Sequence, residues 1–190
     1  VLVPEIALAM QMEKRFQNRF GAENVAILHS KLTTSKRLEN WLRIREGSAK
    51  VILGARTAIF APVTDLGLVV IDEEHESTYK SDHNPKYETM DVAYKRAGTF
   101  GATVVLGSAT PSVVSFYRAS VGIYHLIELK NRVGKSRLPD VEIEDIRGQV
   151  ARGRNEMISL RLQGEMRYCL EKGEQVILFL NRRGYAPQIQ

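Results

Sequence analysis

The sequence predicts an α/β fold: a mostly parallel sheet covered by helices on both faces. Three observations carry that expectation. The segments VAIL (25–28), KVILG (50–54), GLVVI (67–71) and TVVLG (103–107) are apolar throughout rather than alternating, as strands buried on both faces are. They alternate with stretches whose apolar residues recur every three or four positions. Glycine and proline fall between the two kinds of segment and punctuate them.

The elements follow in order. Pro4 suits the first turn of a helix, in which Ile6, Leu8, Met10, Met12, Phe16 and Phe20 recur at helical spacing and which Gly21 closes. A strand at 25–28 is followed by a polar helix from about Ser35, with Leu38, Trp41, Leu42 and Arg45 on one face and Gly47 as its stop. Strands come next at 50–54 and 67–71. Residues 75–90 are polar, contain Asn84-Pro85 and read as a loop. A helix over 88–99 turns Met90, Val92, Ala93 and Ala97 inward, and a strand at 103–107 follows. Pro111 starts another helix, and YHLIEL (124–129) reads as a further strand.

From Asn131 to Arg154 the texture shifts to Lys135, Arg137, Pro139, Gly148, Arg152 and Gly153, which reads as a linker. A helix over about 158–172 and a strand QVILFL (175–180) come after it. The expected organisation is one α/β domain at 1–130, a linker at 131–155 and the beginning of a second domain at 156–190. The chain lacks an initiator methionine and opens on an apolar run, so both ends are expected to have been cut from something longer.

The 190 residues carry a net charge of +5, which permits a polyanionic partner without demanding one. A single cysteine, Cys169, excludes an internal disulfide framework; it is expected to be a small buried residue, and a cytoplasmic setting fits. No apolar run approaches the ~20 residues of a membrane span, so no membrane partner is expected.

Chemistry concentrates at DEEH (72–75), where Asp72, Glu73 and Glu74 crowd together at the end of an apolar strand. Like charges repel, so a positive partner is expected there. Ligands of open parallel sheets sit beyond the carboxyl ends of strands. An aspartate in that place can hold Mg²⁺ on the phosphates of a nucleotide. The next acid, Glu73, can orient or deprotonate an attacking water. The plainer alternative is a strand that ends in a solvated acidic turn.

DEEH resembles the DEAH/DExH box of superfamily 2 helicases, and GSAT (107–110) resembles the third motif of that superfamily. VLVPEIAL (1–8), GARTAIFAP (54–62), DEEHESTYK (72–80) and FLNRRGYAP (179–187), with the HS at 29–30 and the Trp41 helix, closely resemble the PriA (primosomal protein N′) family of replication-restart helicases. The resemblance spans essentially the whole chain. It implies a RecA-like sheet, the start of a second RecA-like domain, and ATP and Mg²⁺ as cofactors. It implies an ATP-dependent 3′→5′ DNA helicase that acts at stalled forks, with DNA and primosome proteins as partners.

The resemblance places Asp72, Glu73 and His75 at the catalytic centre, with Asp72 as the Mg²⁺ residue. Ser108, Ala109 and Thr110 then couple nucleotide to DNA, and His75 joins that relay rather than binding a metal. Pro4 stands at a helix N-terminus whose free N–H groups suit a phosphate, with Glu5 assigned to the helix dipole. Arg56 and Thr57 follow a strand and fit phosphate contact; for Arg56 a surface ion pair is the plain alternative. Tyr79, Lys80, Lys86 and Tyr87 interleave rings with cations, as single-strand binding requires, unless the tyrosines pack back on the domain. Phe60 reads as core rather than as a base-stacking platform. Arg182 and Arg183 fit the DNA backbone or an interdomain cleft.

No GxxxxGK[ST] loop occurs. Gly134-Lys135-Ser136 lacks the upstream glycine, because residue 129 is Leu129. The resemblance places the phosphate loop before Val1, and the later motifs and a zinc-binding cysteine cluster after Gln190. The segment alone is therefore expected to be inactive. Competing classes are a metal-dependent nuclease built on Asp72, Glu73 and Glu74, and a non-catalytic DNA-binding scaffold. His29, His83 and His125 are too scattered to complete a metal site.

Overall fold

The computed structural model describes residues 1–131, 139–145, 147 and 158–179. They separate into two units, Val1–Glu128 and Leu129–Gln190. The first unit holds helices α1 (Ile6–Phe20), α2 (Thr34–Arg45), α3 (Thr89–Phe100) and α4 (Val113–Ser120). It also holds strands β1 (Val25–Leu28), β2 (Val51–Gly54), β3 (Leu68–Ile71) and β4 (Thr103–Leu106). Short 3-10 turns occupy Arg56–Phe60 and Ser77–Tyr79.

The strands form two parallel pairs, β1 with β2 and β3 with β4. The opening residues join them. Leu2 bridges Gly54 on one side and Ile71 on the other, both in parallel sense. The Leu2 N–H donates to the Val70 carbonyl at 2.7 Å, and the Asp72 N–H donates to the Leu2 carbonyl at 2.9 Å. The Val3 N–H donates to the Gly54 carbonyl at 3.0 Å. Val1–Val3 is therefore the middle rung of one parallel sheet. The helical reading of the opening segment did not foresee this rung; its signal was the unbroken apolar VLV.

Gly54 is required where β1 and β2 meet. A Cβ there would stand 2.2 Å from the Leu28 carbonyl oxygen and 2.6 Å from the Ala58 Cβ. Leu2, Ala58, Ile59, Val69, Ile71, Tyr79 and Ala93 form one core cluster, and Val3, Ala9, Ile27 and Leu53 another. Asn40 is buried on α2 and its side-chain amide donates to the Ile27 carbonyl at 2.9 Å, which ties that helix to β1.

Several expectations need correction. Helix α1 starts at Ile6 with Glu5 as its N-cap, so Pro4 lies just outside it, and the buried residue is Ala9 while Leu8 and Met10 are exposed. Helix α2 buries Asn40 and Ile44; Leu38 and Trp41 lie outward. On α3 the expectation held: Ala93 and Ala97 are buried, and Met90 and Val92 pack on the first cluster.

YHLIEL forms no strand. Tyr124–Ile127 instead line, together with β4, a groove of about 500 Å³ and share no ladder bonds with it. Ile127 and Leu129 are correspondingly exposed. In the second unit α5 (Leu160–Glu171) carries Ser159 as its N-cap, with the Ser159 hydroxyl accepting from the Leu162 N–H at 3.1 Å. The apolar run at 175–179 is not a strand among the described residues: no other described strand exists there to pair with it, and Ile177 and Phe179 are almost fully exposed. Cys169 is only half-buried on α5. Most of the expected linker, residue 180, Arg182 and Arg183 lie outside the described residues.

Candidate nucleotide and DNA-coupling site

Strand β3 delivers Asp72 to the carboxyl edge of the sheet. Its main chain is pinned twice, by the Leu2 carbonyl and by Tyr79, whose hydroxyl donates to the Asp72 carbonyl at 2.6 Å. One carboxylate oxygen, Oδ1, accepts from the Glu73 N–H at 3.1 Å. A Cβ on Gly107 would come within 3.3 Å of that same oxygen, so the glycine keeps space open beside the acid. A half-buried carboxylate with room at its side fits Mg²⁺, a hard ion that takes one or two carboxylates and completes its shell with phosphate and water. Among the described residues no three His, Cys, Asp or Glu side chains converge to hold a metal by themselves. Asp72 would hold the ion together with the nucleotide.

Glu73 adopts φ 46°, the left-handed region, as the one such non-glycine among the described residues. For glutamate that conformation costs on the order of 1 kcal/mol or more, and it persists only where neighbours enforce it. Here the Asp72 carboxylate holds the Glu73 N–H, and the Glu73 carbonyl accepts from the Glu76 N–H at 2.9 Å. The turn leaves the Glu73 carboxylate partly exposed, with Oε2 3.7 Å from His75 Nδ1. It is available to a water.

His75 and Ser108 meet. Nδ1 of the imidazole stands 2.7 Å from the Ser108 hydroxyl, which also accepts from the Thr110 N–H at 3.0 Å. With the ring protonated on Nε2, the Ser108 hydroxyl donates to Nδ1. Ala109 and Thr110 are exposed on the same turn.

The third acid of the cluster behaves differently. Glu74 is 2% exposed. It accepts from the Ser112 N–H at 2.6 Å, the Ser112 hydroxyl at 3.2 Å and the Ser115 hydroxyl at 3.0 Å. Sequence reasoning gave it no separate task, and the linear pattern carries no signal for its contacts with Ser112 and Ser115.

The residues expected to touch DNA divide. Tyr79 is 3% exposed. At that burial neither ring face is open to a base, and its carbonyl accepts from the Thr89 hydroxyl at 2.7 Å. Burial, reinforced by Asp72 and Glu73, holds its phenol well above the usual tyrosine range. Among the described residues Arg56 has no ion-pair partner: its guanidinium donates to the carbonyls of Thr78 and Lys80 and lies over the Tyr87 ring at 5.9 Å. Phe60, expected in the core, is exposed and meets Tyr87 edge-on at 5.0 Å. Thr57 is exposed, and Pro4 half-buried beside the start of α1. Lys80 pairs with Glu88 at 2.8 Å, which pushes its ammonium pKa up. Thus Arg56, Phe60, Tyr87 and Lys80 converge on one surface, and Tyr79 sits beneath it.

A helicase-type parallel core with an acid pair at one strand end, linked through histidine to the next strand's turn, agrees with comparison to known proteins. The family described as DEAD/DEAH box helicase matches residues 1–117, and the chain belongs to that family. Within it, the chain is similar to replication restart proteins. It is 46% identical over 186 residues to Replication restart protein PriA of Bacillus subtilis, covering 98% of this chain and 23% of that protein. It is 43% identical to Replication restart protein PriA of Treponema pallidum, covering all of this chain and 28% of that protein. The counterpart of the same name in Haemophilus influenzae is 40% identical, with 98% and 25% covered. The resemblance to the PriA family read from the motifs is borne out, and the chain spans about a quarter of the length of these relatives.

Proposed function

We propose that this chain is the central part of an ATP-driven 3′→5′ DNA helicase that acts at stalled forks during replication restart and primosome assembly. The observation that carries the reading is the 2.7 Å contact between His75 and Ser108, which joins the acidic strand end to the neighbouring turn. Mg²⁺, which Asp72 would hold together with the nucleotide, would supply positive charge opposite the phosphoryl group. Asp72 positions that ion, and Glu73 orients the attacking water and takes its proton. His75 and Ser108 pass the state of the site to the turn at 107–110.

DNA would follow the surface of Arg56, Thr57, Phe60, Lys80 and Tyr87, with Pro4 at the start of α1. Phe60 and Tyr87 supply rings for bases, and Lys80 supplies charge for the backbone. Arg182 and Arg183 remain assigned to the DNA backbone. Bound zinc belongs to a cysteine cluster outside residues 1–190, and the setting is cytoplasmic; no helix among the described residues is long and apolar enough to cross a membrane.

The test is Glu73→Gln in the full-length protein. The expected result is loss of ATP turnover with nucleotide binding retained. Wild-type turnover, or fork processing that survives the substitution, overturns the motor reading in favour of a DNA-binding scaffold. Cleavage of DNA by the wild-type protein with Mg²⁺ and no ATP would favour a nuclease instead.

A further inference from the structure

Three acids stand at the end of β3, and the proposed hydrolysis uses two. We infer that Glu74 is a positioning residue that locks the turn at 107–112 to the DEEH turn, so that the two move as one body when nucleotide or DNA binds. The inference rests on the motor reading and goes beyond it by assigning the coupling step to a residue that touches neither ligand.

The geometry is a double attachment. The Glu74 N–H donates to the Gly107 carbonyl at 3.0 Å. Its side chain, 2% exposed, reaches the other end of the same turn. There it accepts from the Ser112 N–H, the Ser112 hydroxyl and the Ser115 hydroxyl. One residue thereby brackets Ser108, Ala109 and Thr110 from both sides. Its neighbour His75 bonds Ser108 inside the bracket.

The chemistry suits a permanent strut. A carboxylate at the start of a helix meets a free N–H and the positive end of the helix dipole, and hydrogen bonds to a charged acceptor are the stronger kind. Ser112 is already the N-cap of α4, its hydroxyl accepting from the Ser115 N–H at 3.2 Å. Glu74 thus ties the catalytic turn to that cap, and the buried carboxylate has little tolerance for losing its donors.

The experiment uses the full-length protein and measures ATPase with and without single-stranded DNA. Glu74→Ala is expected to lower the DNA-stimulated kcat by about 5- to 20-fold with the KM for ATP changed by less than about 2-fold. Glu74→Gln keeps the length and one acceptor oxygen, and the serine hydroxyls can turn to accept from its amide, so it restores most of the stimulation. Ser115→Ala removes one hydroxyl donor; it is expected to give a smaller loss in the same parameter and serves if Glu74→Ala does not fold. DNA stimulation within about 2-fold of wild type in a folded Glu74→Ala, or in Ser115→Ala if the former fails to fold, overturns the proposal, as does a rise in KM equal to the fall in kcat. A wild-type protein with no DNA-stimulated ATPase overturns the motor reading itself, and the Glu74 assignment with it.

Discussion

The Tyr79 hydroxyl donates to the main-chain carbonyl of Asp72 at 2.6 Å, from a ring that is 3% exposed. A tyrosine in a loop expected to stack on DNA is instead a brace beneath the proposed metal-holding acid. Tyr79→Phe keeps the ring and removes only this bond. The expected cost is about 1 kcal/mol of stability, with affinity for single-stranded DNA unchanged. Chemical denaturation and fluorescence-anisotropy titration check the two halves. A large loss of DNA affinity in a folded Tyr79→Phe would return the hydroxyl to the DNA surface.

The same burial gives a pH dependence. The Tyr79 pKa is raised by desolvation and then by Asp72 and Glu73. The folded state keeps the phenolic proton that the unfolded chain releases near its ordinary value of 10.0. The unfolded state then binds fewer protons, so stability falls as pH rises past that value and through the folded pKa. Below it the contribution is complete. Melting temperatures of the wild type are expected to drop above pH ~10 more steeply than those of Tyr79→Phe. Parallel curves would remove Tyr79 as the cause.

One guanidinium nitrogen of Arg56, Nη1, donates to the carbonyls of both Thr78 and Lys80. A lysine ammonium also carries several donors, but it is shorter in reach and lacks the planar, preorganised geometry that aims two of them at fixed carbonyls. Arg56→Lys and Arg56→Ala are both expected to raise limited proteolysis within residues 80–87 by about fivefold or more, because local opening falls in cost by roughly 1–2 kcal/mol. Protection equal to wild type in Arg56→Lys would mean that ammonium donors serve as well, and that the planar guanidinium is not what holds the loop.

Ser108→Ala breaks both the contact to His75 and the bond from the Thr110 N–H. These groups are partly exposed, so the expected stability loss is under about 1 kcal/mol. DNA-stimulated ATPase of the full-length protein is expected to fall about tenfold. Thermal melts beside steady-state rates separate the two effects, and an unaltered stimulated rate would strike the His75–Ser108 relay from the mechanism.

Gly54→Ala sets a methyl against the Leu28 carbonyl, a backbone atom that cannot step aside. The expected destabilisation is about 3 kcal/mol or more. Soluble expression and a melt within a few degrees of wild type would show that β1 and β2 can spread.

The fold was legible where the chain states burial directly. Continuously apolar runs marked β1 to β4, and alanines at helical spacing marked the inner face of α3. An apolar run records a need for burial and not a partner, so YHLIEL and the described part of QVILFL read like the true strands yet join no ladder among the described residues. Polar anchors were the other loss. Asn40 sits on a helix read as polar, and nothing in the linear pattern marks its amide as bound to the Ile27 carbonyl. Tyr79 and Phe60 exchanged their expected settings because the short turn at Ser77–Tyr79 points the tyrosine inward, while the turn at Arg56–Phe60 leaves the phenylalanine out. DEEH and GSAT were readable as short motifs, but the task of Glu74 depended on two serines about 40 residues away, a distance the linear pattern does not express.

The rung formed by Val1–Val3 has a kinetic consequence. The first residues of the segment bond to partners that come 51 or more positions later, as between Val1 and Ile52. Such separations are slow to close, because loop entropy is spent before the contact returns anything. The β1–β2 pair, with α2 between its strands, can assemble early on its own. The two halves of the sheet unite only when Val1–Val3 slot in between them, so refolding is expected to show a late step that joins β2 to β3 and sets the overall rate.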